Sequence, residues 1–275
     1  LRGEAAQSDA RFVRELAQAL GLAFREGRPE EPVQPDEDAL RSVRFDWMES
    51  CYRESGAGGL LLGHHADDLL ESLLLALLSG SGPAGLAAPQ PVKAFSDGHV
   101  RLRPLLSWKR RDIEARLLDA GAAWQEDASN RDTAYLRNWL RQVLIPQLHE
   151  RVPRDLHAAA RRTRELMESC VRMIDQQVNA LDLDWSDPGS LSCRNLMGRP
   201  APVIRRAIRA WWLQHHPANR LGRGVLDPLV EALEAGQSGI SFPLSPELRL
   251  HLDPQENLLL LGHREPGSFR KSACR

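Results

Sequence analysis

The fold of this chain is indicated most clearly by residues 59–72, which read GLLLGHHADDLLES. The apolar run between Gly59 and Gly63 is short and bounded by glycines, as is typical of a buried strand in a parallel sheet. His64 follows this run directly and opens a predicted helix that continues to Leu78. A strand followed at once by a helix is the unit from which α/β domains are built, and such sheets bind ligands outside the carboxyl ends of their strands. The residues from His64 onward are therefore the first candidates for a functional site.

The elements around this stretch extend the alternation of helix and strand. The sequence predicts further helices at 8–21, 40–51 and 107–121, and further strands at 22–25 and 100–102. Helices alternating with short apolar strands are typical of βαβ units. We therefore expect an α/β domain with a Rossmann-like parallel sheet over residues 1–150.

Beyond residue 132 the pattern becomes helical. Apolar residues from Val152 to Leu181 recur at steps of three and four, which predicts one long helix that bridges to a second domain. Helical segments are expected at 204–212 and 225–235, and short strands at 240–242, 248–252 and 257–261. We therefore expect a smaller, mainly helical domain after the long helix, within residues 151–275.

The charge of the chain is unevenly distributed, although its formal net charge is only −1. Residues 1–100 hold 9 Lys and Arg against 16 Asp and Glu, whereas residues 101–224 hold 22 against 14. A basic middle segment suits contacts with nucleic-acid phosphates, but solvated helix faces would give the same count. The 4 cysteines form no C-x-x-C pair, and the most apolar run, 69–78, is too short to span a bilayer. These features favour a cytoplasmic protein with free thiols and no membrane partner.

Two carboxylates, Asp68 and Glu71, lie three residues apart and so share one face of the predicted helix. Acidic residues in a first turn also suit the helix dipole, which would explain Asp67 and Asp68 without any function. It would not explain the adjacent histidines that precede them, and we therefore predict a functional site here. A metal-dependent phosphohydrolase of the HD type is an alternative, but no histidine of this chain is directly followed by aspartate.

The same residues carry a family resemblance. His64-His65-x-Asp67-Asp68-x-x-Glu71-Ser72, followed by Gly80-Ser81-Gly82-x-x-Gly85-Leu86, resembles the signature of the tRNA(Ile)-lysidine synthetases, which belong to the ATP-pyrophosphatase or PP-loop superfamily. Further blocks similar to the family occur in its order over residues 1–150: Leu1–Ala5, Arg41-x-x-Arg44-Phe45, Arg103–Leu106, Glu126-Asp127-x-Ser129-Asn130 and Leu136-Arg137-Asn138-x-x-Arg141. Residues 205–262 resemble the family's substrate-binding domain more loosely, most clearly at Gly239–Pro243.

The resemblance implies a defined reaction. ATP and magnesium would adenylate the 2-carbonyl oxygen of the wobble cytidine in an isoleucine tRNA, and the ε-amine of free L-lysine would then displace AMP to give lysidine. Because a lysine amine has a pKa of about 10.4, it must lose a proton before it attacks, and a carboxylate pair can bind it and direct that proton away. The sequence leaves the oligomeric state open, a homodimer included.

The resemblance also implies roles for individual residues. Asp68, Glu71 and Arg44 would be catalytic, with the two carboxylates holding the lysine amine and Asp68 a candidate ligand of Mg²⁺. The implied substrate-binding residues, which would face the phosphates, the activated base or the tRNA, are His64, Arg103, Arg137, Asn138 and Arg141. Two of these residues also have simpler interpretations: Arg44 could pair with Asp46 or Glu49 on a helix surface, and Arg137 could be one more arginine facing tRNA.

Three departures from the family pattern are visible. Leu69 stands where the family usually has glutamine, which removes a polar group near the site, and Ser72 stands where it usually has threonine. The family's Ser-Gly-Gly-x-Asp-Ser loop, whose backbone N–H groups would cradle the triphosphate, occurs nowhere in the sequence. We therefore expect the first βα unit to be missing here. A non-catalytic or degenerate tRNA-binding homologue that keeps the fold is the alternative function.

Overall fold

A computed structural model describes residues 3–29, 37–95, 98–125, 133–216, 221–245, 248–256 and 258–263. The chain divides into two compact units, Leu1–Met167 and Glu168–Arg275. The division falls within the long helix, whereas the expected domain boundary lies before that helix, near residue 150. Within the described part of the chain, no helix is both long enough and apolar enough to cross a membrane.

The first unit consists of helices around a small sheet. Its helices are α1 (Gly3–Ala19), α2 (Glu37–Ser55), α3 (Ala66–Leu78), α4 (Pro83–Leu86), α5 (Arg110–Asp119), α6 (Leu136–Trp139), α7 (Ile145–Arg151) and the start of α8 (Leu156–Asn179). Its strands are β1 (Leu60–Leu61), β2 (Val92–Ala94) and β3 (Val100–Leu102). The predicted helices and the strand at 100–102 are confirmed, with shifted ends, and the strand expected between Gly59 and Gly63 is reduced to two residues.

The sheet of the first unit is mixed, so the expected wholly parallel sheet is wrong for the described residues. The strand order is β1-β3-β2, with β1 parallel and β2 antiparallel to β3. Residues 95–99 are all that connects β2 to β3, and such a link is too short for the crossover that parallel neighbours need. The strand expected at 22–25 is also wrong, because these residues form neither helix nor strand.

Helix α3 supplies much of the apolar core of the first unit. Leu70 and Leu73 pack in one cluster with Ile145 of α7 and Ala160 of α8. Leu69 is only 1% exposed. Its side chain therefore belongs to the interior, and the leucine in place of the family's usual glutamine is accommodated by packing.

Three helical segments run without a break from residue 136 to residue 151. Between α6 and α7 lies a π-helical turn, Leu140–Leu144. Pro146 follows this turn at the start of α7 and has no backbone N–H to bond to the carbonyl four residues earlier, which favours a wider turn at this point. π-turns often occur at functional sites, and this one carries Arg141.

The predicted long helix is present as α8. Its start is fixed by Asp155, whose side-chain oxygen accepts hydrogen bonds from the backbone N–H groups of His157 (3.0 Å) and Ala158 (3.2 Å). The helix is amphipathic, in keeping with the apolar spacing from which it was predicted.

The second unit combines the end of α8 and two further helices with a sheet, and the helices and short strands expected here are confirmed, with shifted ends. Its strands are β4 (Ser190–Ser192), β5 (Ile240–Pro243), β6 (Leu248–Leu252) and β7 (Leu258–His263), and its helices are α9 (Ala201–His215) and α10 (Arg223–Glu234). The four strands form an antiparallel sheet in the order β4-β7-β6-β5. Trp211 of α9 is fully buried in a core with residues of α10 and of the sheet.

Candidate functional site

The candidate site lies where the parallel strands β1 and β3 end. Leu61 pairs with Leu102, and the N–H of Leu62 donates to the carbonyl of Leu102 (2.8 Å). The chain therefore leaves both strands at the same edge of the sheet, toward His64 on one side and Arg103 on the other. This is the edge at which open α/β sheets bind ligands.

Glu71 binds two arginines through both of its carboxylate oxygens. Its side chain is fully buried. One of its oxygens accepts from Nε of Arg141 (2.6 Å), and the other accepts from Nη2 of Arg141 and from Nε of Arg137 (both 2.9 Å). The bidentate pair with Arg141 and the single charge-assisted bond from Arg137 are among the stronger interactions in proteins, and they hold both guanidinium groups in place.

Asp68 lies one helical turn before Glu71 and is paired less closely. Its Oδ1 lies 3.7 Å from a guanidinium nitrogen of Arg137 and 3.6 Å from one of Arg141. Its Oδ2 accepts a hydrogen bond from the backbone N–H of His65 (2.9 Å), which fixes the start of α3. The arrangement confirms that one helix face presents both carboxylates, and it leaves Asp68 more able than Glu71 to meet an incoming cation.

A second group of polar side chains, His65, Asp67 and His157, is connected to Asp68. The two ring nitrogens of His65 lie 3.4 Å from different carboxylates, Nδ1 from Asp67 and Nε2 from Asp68. The other oxygen of Asp67 lies 3.0 Å from Nε2 of His157, at the start of α8. The backbone N–H of Arg110 also donates to Asp67 (2.8 Å), so this carboxylate joins the first turns of α3, α5 and α8.

The pKa values of these groups reflect their neighbours. Although burial opposes it, the adjacent rings of His157 and His65 and a hydrogen bond from the backbone of Arg110 hold the pKa of Asp67 far below its ordinary value. The pKa of His65 is raised: burial acts against the charged form, but the adjacent Asp67 and Asp68 outweigh it. Asp67 is therefore ionised at neutral pH and belongs to the scaffold of the site.

His64 differs from its neighbour. Burial, with the nearby positive charges of Arg103, Arg41 and Arg137, lowers its pKa to about 4 despite the opposing effect of Asp68. The imidazole is therefore neutral at pH 7, and its Nδ1 has no hydrogen-bond partner. A neutral imidazole beside several guanidinium groups can offer a hydrogen bond without adding charge.

Further cations flank the site at the end of β3. Arg103 is 8% exposed, and its Nη1 donates to the carbonyl of Gln90 (2.8 Å). Arg101 lies between two aromatic rings, 4.8 Å from the centroid of Phe45 and 4.6 Å from that of Phe95, and pairs with Glu49. These contacts join β3 to α2.

The structure brings most of the predicted site residues together, but not all of them equally. His64, Asp68, Glu71, Arg103, Arg137 and Arg141 converge through the contacts and electrostatic interactions described above. Arg44 is exposed, and its guanidinium lies 6.0 Å from the ring centroid of its neighbour Phe45. Arg41, one turn earlier in α2, is the arginine of this helix that interacts with His64. Asn138 is half-buried on α6 beside Arg137.

Several residues of the site were not predicted from the sequence. They are Arg41 and Arg101, which lie near His64 and Arg103, and the pair Asp67 and His157. Arg41 stands in the Arg-x-x-Arg block and could have been chosen from it, whereas nothing in the sequence connects His157 with Asp67 across 90 positions.

Among the described residues, no group of three or more His, Cys, Asp or Glu could hold a metal ion. Asp68, the residue expected to bind Mg²⁺, has guanidinium groups within ion-pair distance of one oxygen and a backbone N–H bonded to the other. These residues by themselves do not fit a protein-bound magnesium site.

With this geometry in view, comparison with known proteins identifies the class of the chain. Residues 1–148 match the model of the PP-loop domain, and the chain belongs to this family. Its relatives include the tRNA(Ile)-lysidine synthase of Geobacter sulfurreducens, 32% identical over 99% of this chain and 58% of that protein, and the one of Vibrio parahaemolyticus, 42% identical over 66% of this chain and 42% of that protein. The resemblance to the lysidine synthetases predicted from the motifs is therefore confirmed.

The chain spans about half the length of the curated relatives it matches. Among solved structures, the U34-tRNA thiolase NcsA from Methanococcus maripaludis aligns with 59% of this chain and 57% of its own, with a TM-score of 0.48 and 12% identity.

Proposed function

We propose that this chain is part of an ATP-dependent ligase that joins lysine to the wobble cytidine of an isoleucine tRNA. A PP-loop domain implies the use of ATP, and the curated relatives carry the name of this activity. The observation that supports the proposal best is the arrangement of Asp68 beside two arginines held by Glu71. It offers a negative charge to an amine and positive charges to a phosphate within one small site.

In this proposal the two carboxylates have different tasks. Glu71 is buried and already binds two guanidinium groups, so it positions Arg137 and Arg141. Asp68 is the carboxylate that meets the ε-ammonium group of lysine, since it is partly accessible and only loosely paired. This division refines the sequence interpretation, in which both carboxylates hold the amine.

The amine must become neutral before it attacks the activated cytidine. Asp68 can accept its proton, and the imidazole of His65, 3.4 Å away, connects Asp68 with Asp67 and His157. A general base within reach of the proton typically contributes factors of about 10²–10⁴ to the rate.

The arginines act on the other reactant. Adenylation transfers the AMP moiety of ATP to the cytidine and releases pyrophosphate, and negative charge leaves with AMP when lysine displaces it. Guanidinium groups fixed in advance stabilise such charge without reorganising during the reaction. Arg137 and Arg141 meet this condition because Glu71 orients both, and Arg44 and Asn138 would extend the tRNA-facing surface.

The proposal is tested with a purified protein in which this chain is joined to the family's Ser-Gly-Gly-x-Asp-Ser loop, since the chain's own sequence does not contain that loop. This protein is incubated with ATP, radiolabelled lysine and two isoleucine tRNA transcripts that differ only in C or U at the wobble position. Incorporation of label into the C transcript alone, with release of AMP, supports it. Binding of both transcripts without incorporation would favour the second candidate, a tRNA-binding protein that does not catalyse. Incorporation into the U transcript as well would contradict the assignment of cytidine as the target.

A further inference from the structure

His157 connects the start of α8 to the candidate site. Its Nε2 lies 3.0 Å from Oδ1 of Asp67, and its side chain is only 10% exposed. Because Asp67 is ionised and has no proton to give, Nε2 of His157 carries the hydrogen of this bond. His157 therefore donates to a carboxylate in the first turn of α3, although 90 positions separate the two residues.

The bond from His157 fixes the orientation of the Asp67 carboxylate. The other oxygen of Asp67, Oδ2, accepts a hydrogen bond from the backbone N–H of Arg110 (2.8 Å). With one donor at each oxygen, the carboxylate cannot turn about its Cβ–Cγ bond without breaking one of the two. If the donor at Oδ1 were removed, only Oδ2 would be anchored, and this torsion has a broad range in an unrestrained aspartate.

Asp67 in turn orients the ring of His65. Nδ1 of His65 lies 3.4 Å from Oδ2 of Asp67, and Nε2 of the same ring lies 3.4 Å from Oδ2 of Asp68. The imidazole therefore lies between two carboxylates and turns a different nitrogen toward each. These contacts are somewhat longer than ordinary hydrogen bonds, and bonds of this kind at catalytic sites often tighten when the substrate binds.

We propose that His157 is a positioning residue for Asp68. It holds Asp67, Asp67 holds the ring of His65, and this ring sets the direction of the Asp68 carboxylate. A carboxylate that orients an imidazole toward a reacting group is a recurring arrangement in catalysis, and here a second histidine orients the carboxylate. The effect on lysine rests on the proposed function, whereas the series of contacts from His157 to Asp68 does not.

Loss of this positioning should affect only one half of the reaction. Asp68 is proposed to bind the lysine amine and to accept its proton, and the adenylation of cytidine requires neither. Removing the donor at His157 should therefore slow the attack of lysine and leave the release of pyrophosphate unchanged. A misplacement of about 1 Å at a reacting group can lower a rate by about a hundredfold.

A purely structural role, in which His157 only docks α8 against the first unit, is the competing explanation. Other contacts already provide this docking. Ala160 of α8 packs in one cluster with Leu70 of α3, and Lys109 binds Asp155 at the start of α8 (2.7 Å). A further polar contact adds little to such docking, because each partner gives up hydrogen bonds to water when it forms.

The test uses two substitutions at His157 in the protein that also carries the Ser-Gly-Gly-x-Asp-Ser loop. His157→Phe keeps an aromatic ring that can stack on His149, as the wild-type ring does with centroids 5.3 Å apart, but it has no donor for Asp67. His157→Gln replaces the ring with an amide that can donate from near the position of Nε2. Lys109→Met is the matched control, because it removes an ion pair at the start of α8 that does not involve Asp67.

Two partial reactions are followed in single turnovers with enzyme in excess over the cytidine-containing tRNA. In His157→Phe, release of AMP at saturating lysine should slow by about tenfold or more, while release of pyrophosphate from ATP stays within about twofold of the wild type. His157→Gln should recover most of the lost rate, and Lys109→Met should leave both partial reactions unchanged. If His157→Phe slows both partial reactions equally, or if His157→Gln is as slow as His157→Phe, the proposal is overturned.

A second readout needs no catalysis and uses the chain alone. The NMR signals of the His65 ring should change in His157→Phe, return toward the wild type in His157→Gln and stay as they are in Lys109→Met. Unchanged His65 signals in His157→Phe would overturn the series of contacts, and so would loss of the unfolding transition in that variant, which would make His157 a structural residue. Changed His65 signals would support the contacts even if the loop-bearing protein incorporates no lysine, so the two proposals can fail separately.

Discussion

Glu71 and Arg141 form a bidentate ion pair although 70 positions separate them in the sequence. The pair joins the first turns of α3 to the π-helical turn after α6, and Arg137 shares the same carboxylate. Because Glu71 is fully buried, its negative charge is matched inside the protein and is not available to solvent. The pair therefore fixes the positions of the arginines, and Asp68 is left as the carboxylate that a substrate can reach.

The first prediction concerns the stability that Glu71 provides. Glu71→Gln removes the charge that two partly buried arginines share, and breaking a buried ion pair from one side is strongly destabilising. We expect the free energy of unfolding in urea to fall by about 3 kcal/mol. Glu114→Gln is the matched control, because it removes one partner of a half-exposed pair with Arg110 and should cost about 0.5 kcal/mol or less. Equal, small losses in the two variants would show that Glu71 does not anchor the arginines.

The second prediction follows from the lowered pKa of His64. In the folded chain it is about 4, against an ordinary value of 6.5. As pH falls from about 6.5 toward 4, the unfolded chain gains a proton at His64 before the folded chain does, so the folded state loses stability over this range. His64→Gln should remove this part of the pH dependence, measured by urea unfolding at a series of pH values.

The Arg103→Gln variant provides an independent check of the cause of the lowered pKa of His64. The charge of Arg103 is one cause of the low pKa of His64, so Arg103→Gln should move that pKa upward, toward its ordinary value. An NMR titration of the histidine ring signals measures the change directly. A downward movement, or none, would mean that Arg103 does not contribute to the lowered pKa of His64.

The sequence was sufficient to predict the elements whose signal is local. The run GLLLG followed by two histidines and a helical apolar pattern placed the end of β1 and the whole of α3 close to their observed positions. The spacing of apolar residues likewise predicted α8. In each case the spacing of apolar residues within one short stretch of sequence predicts which face or segment is buried.

What the sequence did not predict depends on partners far along the chain. Strand β2, Val-Lys-Ala, has exposed side chains throughout, and only its pairing with β3 makes it a strand. The segment 22–25 has a strand-like composition but no strand pairs with it in the described residues. The link between Asp67 and His157 arises because α8 begins beside α3, which no local pattern records.

The fourth prediction concerns the basic middle of the chain. Arg161 and Arg162 are exposed on α8. If they contact RNA phosphates, reversing both charges should weaken tRNA binding and reduce its dependence on salt, because fewer counterions are released. We would measure affinity by filter binding at several salt concentrations, with the Tm of the variant as the control that should not change. Affinity that does not vary with salt in the wild type would exclude a phosphate-based interface here.

The last prediction separates Asp68 from the scaffold that surrounds it. Asp68→Asn keeps an oxygen that can accept from the backbone N–H of His65, so α3 should begin as before and the variant should fold. It removes the negative charge proposed to hold the lysine ammonium and to accept its proton. Incorporation of lysine into the cytidine-containing tRNA should therefore fall by about a hundredfold or more, while binding of that tRNA stays within about twofold. Asp119→Asn, at the exposed end of α5, is the matched control and should leave incorporation unchanged. If Asp68→Asn incorporates lysine at the wild-type rate and with the same KM for lysine, Asp68 is not the residue that binds the lysine amine.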